Sequence, residues 1–372
     1  MMKFLFCFML LCSSISIFAQ DANVEETILA ADLSPMTDSK VDNIVYYKKN
    51  GKYYKRNTDS GYNVKWFGAV GNGIVDDASA IQKALEYIKK SSPLQNITNG
   101  WNYGGGKLYL PAGKYKISKK ILIPDNITIE GAGTNYTLII SQVPTAFSNV
   151  TGIQNGKDYI MSQSINIKKL FVNGGGIELI GAYDSTVESV KVFNTELGID
   201  VSSAINLKIR DVQVLNCKKG IVLRGDLGSG PSTSTYLDNV WVAHCSVVGL
   251  SITAENYKLV THSIRNSIFE YNGLGVQITG DVEQILFDNI HLEGNKDKNF
   301  RISNNVQGSF KNVWTDSSET YISGSKSTAS KLYFENFNDQ ITVDPSFQGE
   351  IIGNLFVKKV NVSKNIKFKV LN

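Results

Sequence analysis

The chain is short of several things, and each shortage removes a class of protein. It has 4 Cys in 372 residues, and two of these, Cys7 and Cys12, fall in the N-terminal stretch described below. The other two, Cys217 and Cys245, form no C-x-x-C motif, so a cysteine metal site is absent. Beyond residue 19 no run of 18 apolar residues occurs, and nothing there reads as a membrane span. Charge of one sign is also scarce. Lys and Arg number 38 against 34 Asp and Glu, a net of +4. So small an excess gives no argument for nucleic acid or a membrane surface as partner. Only 7 Pro stand beside 32 Gly, and 42% of residues are hydrophobic, the composition of a globular, β-rich chain long enough for one extended domain.

What is present is a repeat. A unit opens at Gly176, Gly198, Gly220, Gly249 and Gly275, at spacings of 22, 22, 29 and 26 residues. Periods of this size indicate a solenoid in which each coil buries its apolar face on its neighbours. Within a unit, Val and Ile alternate with polar residues in three short runs, as in 198–201, 207–209 and 212–214. Alternation over so few residues is the mark of half-buried strands. Three strands per coil predict an all-β fold, a single-stranded parallel β-helix, with coils over about 106–345 and closing strands to 372.

Aligning the coils on their apolar positions leaves two columns that were not used to align them. One reads Lys168, Glu188, Arg210, Asp238, Arg265, Asp288, Lys311, with strictly alternating sign. Coils stack about 4.8 Å apart, so each charge would lie between two opposite ones, and a slip of one coil would oppose like charges. This column reads as register control. The next column, Ser189, Asp211, Asn239, Asn266, Asn289, Asn312, is rich in residues that tolerate left-handed backbone and marks a tight turn in every coil. Cys217 and Cys245 share a column of adjacent coils, as a disulfide or as two buried thiols.

Residues 1–19 read as a secretory signal. Lys3 precedes an apolar run over 4–11, and small residues lead to Ala19. The expected location is therefore secreted, periplasmic or on the cell surface. Residues 20–62 form a lead-in whose Asn50-Gly51 favours a hairpin turn. Its tyrosines Tyr46, Tyr47, Tyr53 and Tyr54 suit packing of that hairpin, or sugar stacking. The β-helix proper is assigned to 63–372. It opens with a helix over about 78–90 that has Asp76-Asp77 as its cap and Ile81, Leu85 and Ile88 on one face. Such a helix would cover strand edges that an open β-helix end exposes.

Two groups of residues can carry chemistry. Outward positions of the first strand in each coil include Glu178, Asp200 and Arg301, and the neighbouring outward column holds Arg224. Stacked carboxylates suit glycoside hydrolysis, and an Arg fork matches a uronate carboxylate. The long insertion GDLGSGPSTSTY in the coil from Gly220 could wall a groove beside them. The second group is Glu270, Glu293 and Asp316, acids on consecutive coils, whose mutual repulsion a cation such as Ca²⁺ would relieve. Trp241, His291 and Trp314 lie nearby as sugar-stacking or polar contacts, and His244 sits at the following turn. A solvated polar or acidic surface is the commoner reading of either pattern. His262 falls in an irregular segment and gives no signal.

The segments WFGAVGNGIVDDASAIQKAL, GGGKLYLPAGKYKIS and NITIEGAG over residues 65–133 resemble the opening of the pectate-lyase superfamily, with Asn72 where that superfamily usually has Asp. The resemblance implies a right-handed parallel β-helix with an N-terminal capping helix. It also implies company with secreted lyases, hydrolases, epimerases and phage tailspikes, whose sugar groove runs along the first sheet. Of the polygalacturonase motifs only one is partly matched. Glu196 in NTELGID stands near its catalytic Asp, while Lys218-Lys219 and Val247-Val248-Gly249 replace two others and no Arg-Ile-Lys follows. That mechanism is not carried over. The expectation is a protein that cleaves a uronate-containing extracellular polysaccharide by β-elimination or hydrolysis. Glu178 and Asp200 would handle protons or Ca²⁺, and Arg224 would neutralise a carboxylate. Glu196, Trp241, His291, Trp314 and Arg301 would contact sugar. A glycan-binding adhesion module and a structural spacer are the alternatives.

Overall fold

The Val- and Ile-rich runs of the repeat become strands whose parallel partners lie one coil away in sequence. The structure, a computed structural model, describes residues 27–28, 38, 41–98, 101–149, 153–154, 158–159, 161–225, 232–324, 330–354, 360–361 and 367–370. The expected signal at 1–19 and the insertion residues 226–231 lie outside the described residues. The chain divides into two compact units, residues 1–59 and 60–372. In the first, strands Tyr46–Lys49 and Lys52–Lys55 form a hairpin. Both turn residues, Asn50 (φ 51°) and Gly51 (φ 75°), take the left-handed backbone this turn requires. Tyr47 and Tyr54 stack across it with centroids 5.4 Å apart.

The second unit is a parallel β-helix of about nine turns. Each coil contributes a strand to three sheets, here called first, second and third in chain order. In the first sheet Glu178, Asp200, Val222, Ser251, Gln277 and Arg301 are successive register partners. In the second, Ile167, Val187, Ile209, Leu237, Ile264, Phe287 and Phe310 point inward in one column and are buried. Toward the C-terminal end this column becomes a stack of rings, with Phe287–Phe310 at 5.2 Å and Phe310–Phe334 at 5.0 Å. The corner between second and third sheets is a single left-handed residue in every coil, from Lys169 through Ser189, Asp211, Asn239, Asn266, Asn289 and Asn312 to Asn336, with φ between 47° and 57°. Side-chain amides tie these corners from coil to coil, for example Asn289 Nδ2 to Asn266 Oδ1 at 2.9 Å and Asn336 Nδ2 to Asn312 Oδ1 at 3.0 Å.

The alternating charges stand where the register requires and run one coil further at each end, to Glu130 and Glu335. Lys168–Glu188 closes to 2.9 Å and Lys311–Glu335 to 3.0 Å. The recurrent glycines have a steric cause. A Cβ on Gly198, Gly220 or Gly249 would lie 2.5, 2.4 or 2.8 Å from the carbonyl oxygen of the glycine one coil on. The next coil therefore leaves no room for a side chain where the first strand begins.

The helix Ala78–Ser91 buries Ile81, Leu85 and Ile88 completely. Its two acids divide their labour. Asp76 Oδ1 accepts from Ala78 N–H at 3.1 Å, whereas Asp77 holds the preceding turn through Val70 N–H (2.6 Å) and Gly71 N–H (3.0 Å). Cys217 and Cys245 are both buried and free. The Cys217 hydrogen bond and burial push the Cys245 thiol up. Among the described residues no helix is long and apolar enough to cross a membrane.

Candidate functional site

Two outward faces carry the expected residues, and they differ in whether their polar groups are already used. On the first sheet, Arg224 and Asp200 sit on adjacent coils and form a bidentate pair. Arg224 Nε reaches Asp200 Oδ1 at 2.9 Å and Nη2 reaches Oδ2 at 2.7 Å. The fork that would match a uronate carboxylate is closed on the protein's own. Asp200 is only 5% exposed, and its neighbours Ser148, Ser202, Val222 and Ser251 are buried as well. Glu178 stacks beside it but turns to Ser148 Oγ (2.9 Å) and Lys120 Nζ (3.2 Å). The three residues expected to act together are thus brought together, inside two separate ion pairs. Further along, Arg301 pairs with Asp297 at 2.6 Å on the surface. Glu196 pairs with Lys218 at 3.2 Å, at an open groove of about 670 Å³ that His244 also lines.

The third sheet presents a different arrangement. Trp241, Ile268, His291 and Trp314 are successive outward partners. His291 stacks on Trp314 with centroids 4.5 Å apart, and Trp314 remains 47% exposed. His291 Nε2 lies 3.0 Å from Glu293 Oε2. The other oxygen, Glu293 Oε1, accepts from Tyr271 O–H at 3.1 Å. One carboxylate therefore orients an imidazole and a phenol together. Glu270, register partner of Glu293 on the coil before, accepts from Trp241 Nε1 at 2.7 Å. Asp316 Oδ2 accepts from Gly294 N–H at 3.0 Å.

Tyr271 was not singled out in the sequence. It occupies the left-handed corner between third and first sheets (φ 53°), in the column of Asn194, Asn216, His244 and Gly294, and that column was its available signal. Gly294 makes room for it, since a Cβ there would lie 2.5 Å from the Tyr271 ring. His244 stacks on its other neighbour side at 5.4 Å. The Tyr271 phenol is pushed up, first by its hydrogen bond to Glu293 and then by the charges of Glu293, Glu270 and Asp316.

Ligand atoms of Glu270, His291 and Glu293 all lie within 4.8 Å of one another. No Lys or Arg among the described residues pairs with Glu270 or Glu293, while Glu130 and Glu188 each have two such partners and Glu319 has Lys298. The two carboxylates suit a hard divalent cation. The imidazole suits Zn²⁺ better than Ca²⁺, which takes oxygen. Asp316 is not within that group.

Residues 61–169 match the family model described as "Rhamnogalacturonase A/epimerase, pectate lyase-like". None of the expected site residues falls within that stretch. Mannuronan C5-epimerase AlgE1 of Azotobacter vinelandii is 38% identical over 99 residues, 25% of this chain and 6% of that protein. Alginate lyase 7 of the same organism is 32% identical over 130 residues, 33% of this chain and 14% of that protein. The chain thus spans a small part of the length of these curated relatives. Among solved structures, the A-module of the A. vinelandii mannuronan C-5 epimerase AlgE6 superposes with a TM-score of 0.55 at 17% identity, over 83% of this chain and 98% of that one. ORF18 of Geobacillus virus E2 superposes with a TM-score of 0.56 at 17% identity, over 88% of this chain and 66% of that one. At such identities these superpositions speak for the fold alone. The chain is thus a parallel β-helix whose opening coils are similar to a pectate-lyase-like family model.

Proposed function

We propose that this protein acts on a uronate-containing extracellular polysaccharide by removing the hydrogen α to a sugar carboxylate, at the third-sheet strip centred on His291. The similar proteins with named activities are a C5-epimerase and a lyase. Both reactions begin with loss of the same C5 hydrogen. In epimerisation the carbanion is reprotonated on the opposite face. In β-elimination its electron pair forms the C4–C5 double bond and expels the C4 oxygen.

One observation carries the reading, the Glu293–His291–Trp314 unit. With Nε2–H donated to Glu293, the Nδ1 lone pair of His291 is the acceptor for the C5 proton, and Glu293 stabilises the resulting imidazolium. Among the described residues Nδ1 makes no hydrogen bond of its own. Tyr271, held protonated by the surrounding acids, is the donor for the leaving oxygen or the opposite face. The exposed ring of Trp314 offers a face for sugar stacking. Acids on this strip repel a polyuronate, so the reading requires a divalent cation on Glu270 and Glu293, which would neutralise the sugar carboxylate. A cation that prefers oxygen, such as Ca²⁺, leaves His291 free to act, whereas Zn²⁺ would occupy it.

The test is incubation of the mature protein with polymannuronate, polygalacturonate and a neutral glucan, with Ca²⁺ or with EDTA. Ultraviolet absorbance of unsaturated ends, reducing ends and sugar configuration are followed together. Absorbance or C5 inversion on a polyuronate, dependent on Ca²⁺, is expected. Reducing ends alone would shift the reading to hydrolysis by the Glu270 and Glu293 carboxylates. Binding without any turnover would leave an adhesion module.

A further inference from the structure

The open groove that His244 lines runs along the corner where the third sheet turns into the first, beside the strip centred on His291. Its volume of about 670 Å³ is that of a small-molecule site. Its lining comes from five successive coils, from the turn 141–144 to His244. At about 4.8 Å per coil it is about 19 Å long, more than one sugar ring fills. The turn 141–144 walls its N-terminal end and lies directly on two glycines. A Cβ on Gly174 would come 2.6 Å from Ser141 O, and one on Gly175 would come 2.5 Å from Ser141 Oγ. Thr195 Oγ1 fastens the same turn by donating to Pro144 O at 3.3 Å.

Corner residues of this solenoid tie their side chains to the coil before. Asn239, Asn266, Asn289, Asn312 and Asn336 all do so, and Asn194 Nδ2 donates to Asn173 Oδ1 at 2.7 Å. Asn216 and His244, the next two corners after Asn194, depart from this rule. Both are exposed, and neither side chain makes a hydrogen bond among the described residues. His244 is held by its ring instead, within 10° of parallel to Tyr271 and 5.4 Å from it. Tyr271 lies on the following coil and the groove on the preceding ones, so the other face of the imidazole looks into the groove. Beside them Glu196 and Lys218 pair at 3.2 Å with both side chains more than half exposed. Such a pair is weakly held, and the hydroxyls of a ligand can divide it.

We propose that this groove seats the sugar units flanking the one that reacts, and reads them through their hydroxyls. The free face of His244 takes a sugar ring. The Asn216 amide donates and accepts, Glu196 accepts and Lys218 donates. One carboxylate balances one ammonium in the lining, whereas a groove built for sugar carboxylates would carry an excess of cations. The polymer then crosses the corner at Tyr271 and follows the solenoid axis toward the N-terminal coils. His291 and His244 are two coils apart, about 10 Å along that axis, so groove and strip can hold one chain. Contacts to units remote from the reacting one raise its rate, and truncated substrates lose that gain. The inference rests on the polyuronate reading above for the identity of the polymer, and on the groove alone for the place of its flanking units.

The experiment compares oligomannuronates from dimer to octamer on the full chain, with Ca²⁺ for turnover and in EDTA for calorimetric binding. In the wild type kcat/KM should rise about tenfold or more with length, and the octamer should bind in EDTA. Asn216→Gly and His244→Asn each remove a groove contact while keeping a residue that tolerates the left-handed corner, and melting curves check that the coils stay intact. Each should cut the octamer-to-dimer ratio of kcat/KM by about fivefold to tenfold, and weaken octamer binding by the same factor. Arg265→Ala, on the second sheet, should change neither. No rise with length, or wild-type ratios and binding in both variants, overturns the groove and leaves the reaction at His291 standing. No turnover at any length, with octamer binding that still depends on Asn216 and His244, sinks the catalytic reading and spares the groove.

Discussion

Asp200 with Arg224 and Glu293 with His291 are each a carboxylate joined to a nitrogen base on an outward face of the same β-helix. The first pair is bidentate and covered. The second is single, half-open and backed by an exposed Trp. A sealed pair holds two coils together and has nothing left to offer a ligand. An open pair orients a group whose other face stays available. Proximity of acid and base therefore does not distinguish structure from chemistry, whereas the remaining valence of each group does.

The largest effect expected from that difference is on turnover. His291→Ala should lower it by on the order of 100-fold or more with the melting temperature unmoved. EDTA should have a comparable effect that Ca²⁺ reverses and Zn²⁺ does not. Asp200→Ala should do the opposite, losing about 3 kcal/mol in chemical denaturation, near the lower end for a broken buried pair because Arg224 keeps some contact with water. Its turnover, measured well below the unfolding midpoint, should persist. Equal losses of turnover in the two variants would break the comparison.

Burial can be sharpened by pH. The His262 pKa is pushed from 6.5 down to about 4 by burial, so between those values the unfolded chain binds more protons and stability falls as pH falls, by up to about 3 kcal/mol. Burial raises the Asp339 pKa from 3.8 to about 6. There the folded chain binds more protons, and stability rises as pH falls, again by about 3 kcal/mol. The wild type should therefore be nearly flat between those limits. His262→Gln should gain stability on acidification and Asp339→Asn should lose it, as denaturant midpoints against pH would report. The smallest effect belongs to the charge column. Glu188→Lys places a cation between Lys168 and Arg210 and should cost about 1 kcal/mol or less, shrinking with added salt.

Much of the fold was legible because a solenoid writes its register into its period. The column from Lys168 to Lys311 and the corners from Ser189 to Asn312 were readable as columns, and the strands place them so. The sites were less legible for a physical reason. Period places Arg224 one coil from Asp200, but it says nothing of whether the fork turns toward its neighbour or toward solvent. Tyr271 joined the third-sheet strip through a corner whose column has no constant residue. His262 was silent in the sequence because it shares a buried inward column with Ser185, Leu207 and Thr235, where the residue type varies from coil to coil and no motif marks it. The insertion at Gly225 was expected to wall a groove, and half of it, residues 226–231, lies outside the described residues.

The most direct measurement is a proton spectrum of polymannuronate incubated with the protein and Ca²⁺ in D₂O. The account predicts that the H5 signal disappears, through solvent exchange during epimerisation or through unsaturation at C5, and that it survives with His291→Ala. An H5 signal that persists in the wild-type reaction while reducing ends accumulate would contradict it.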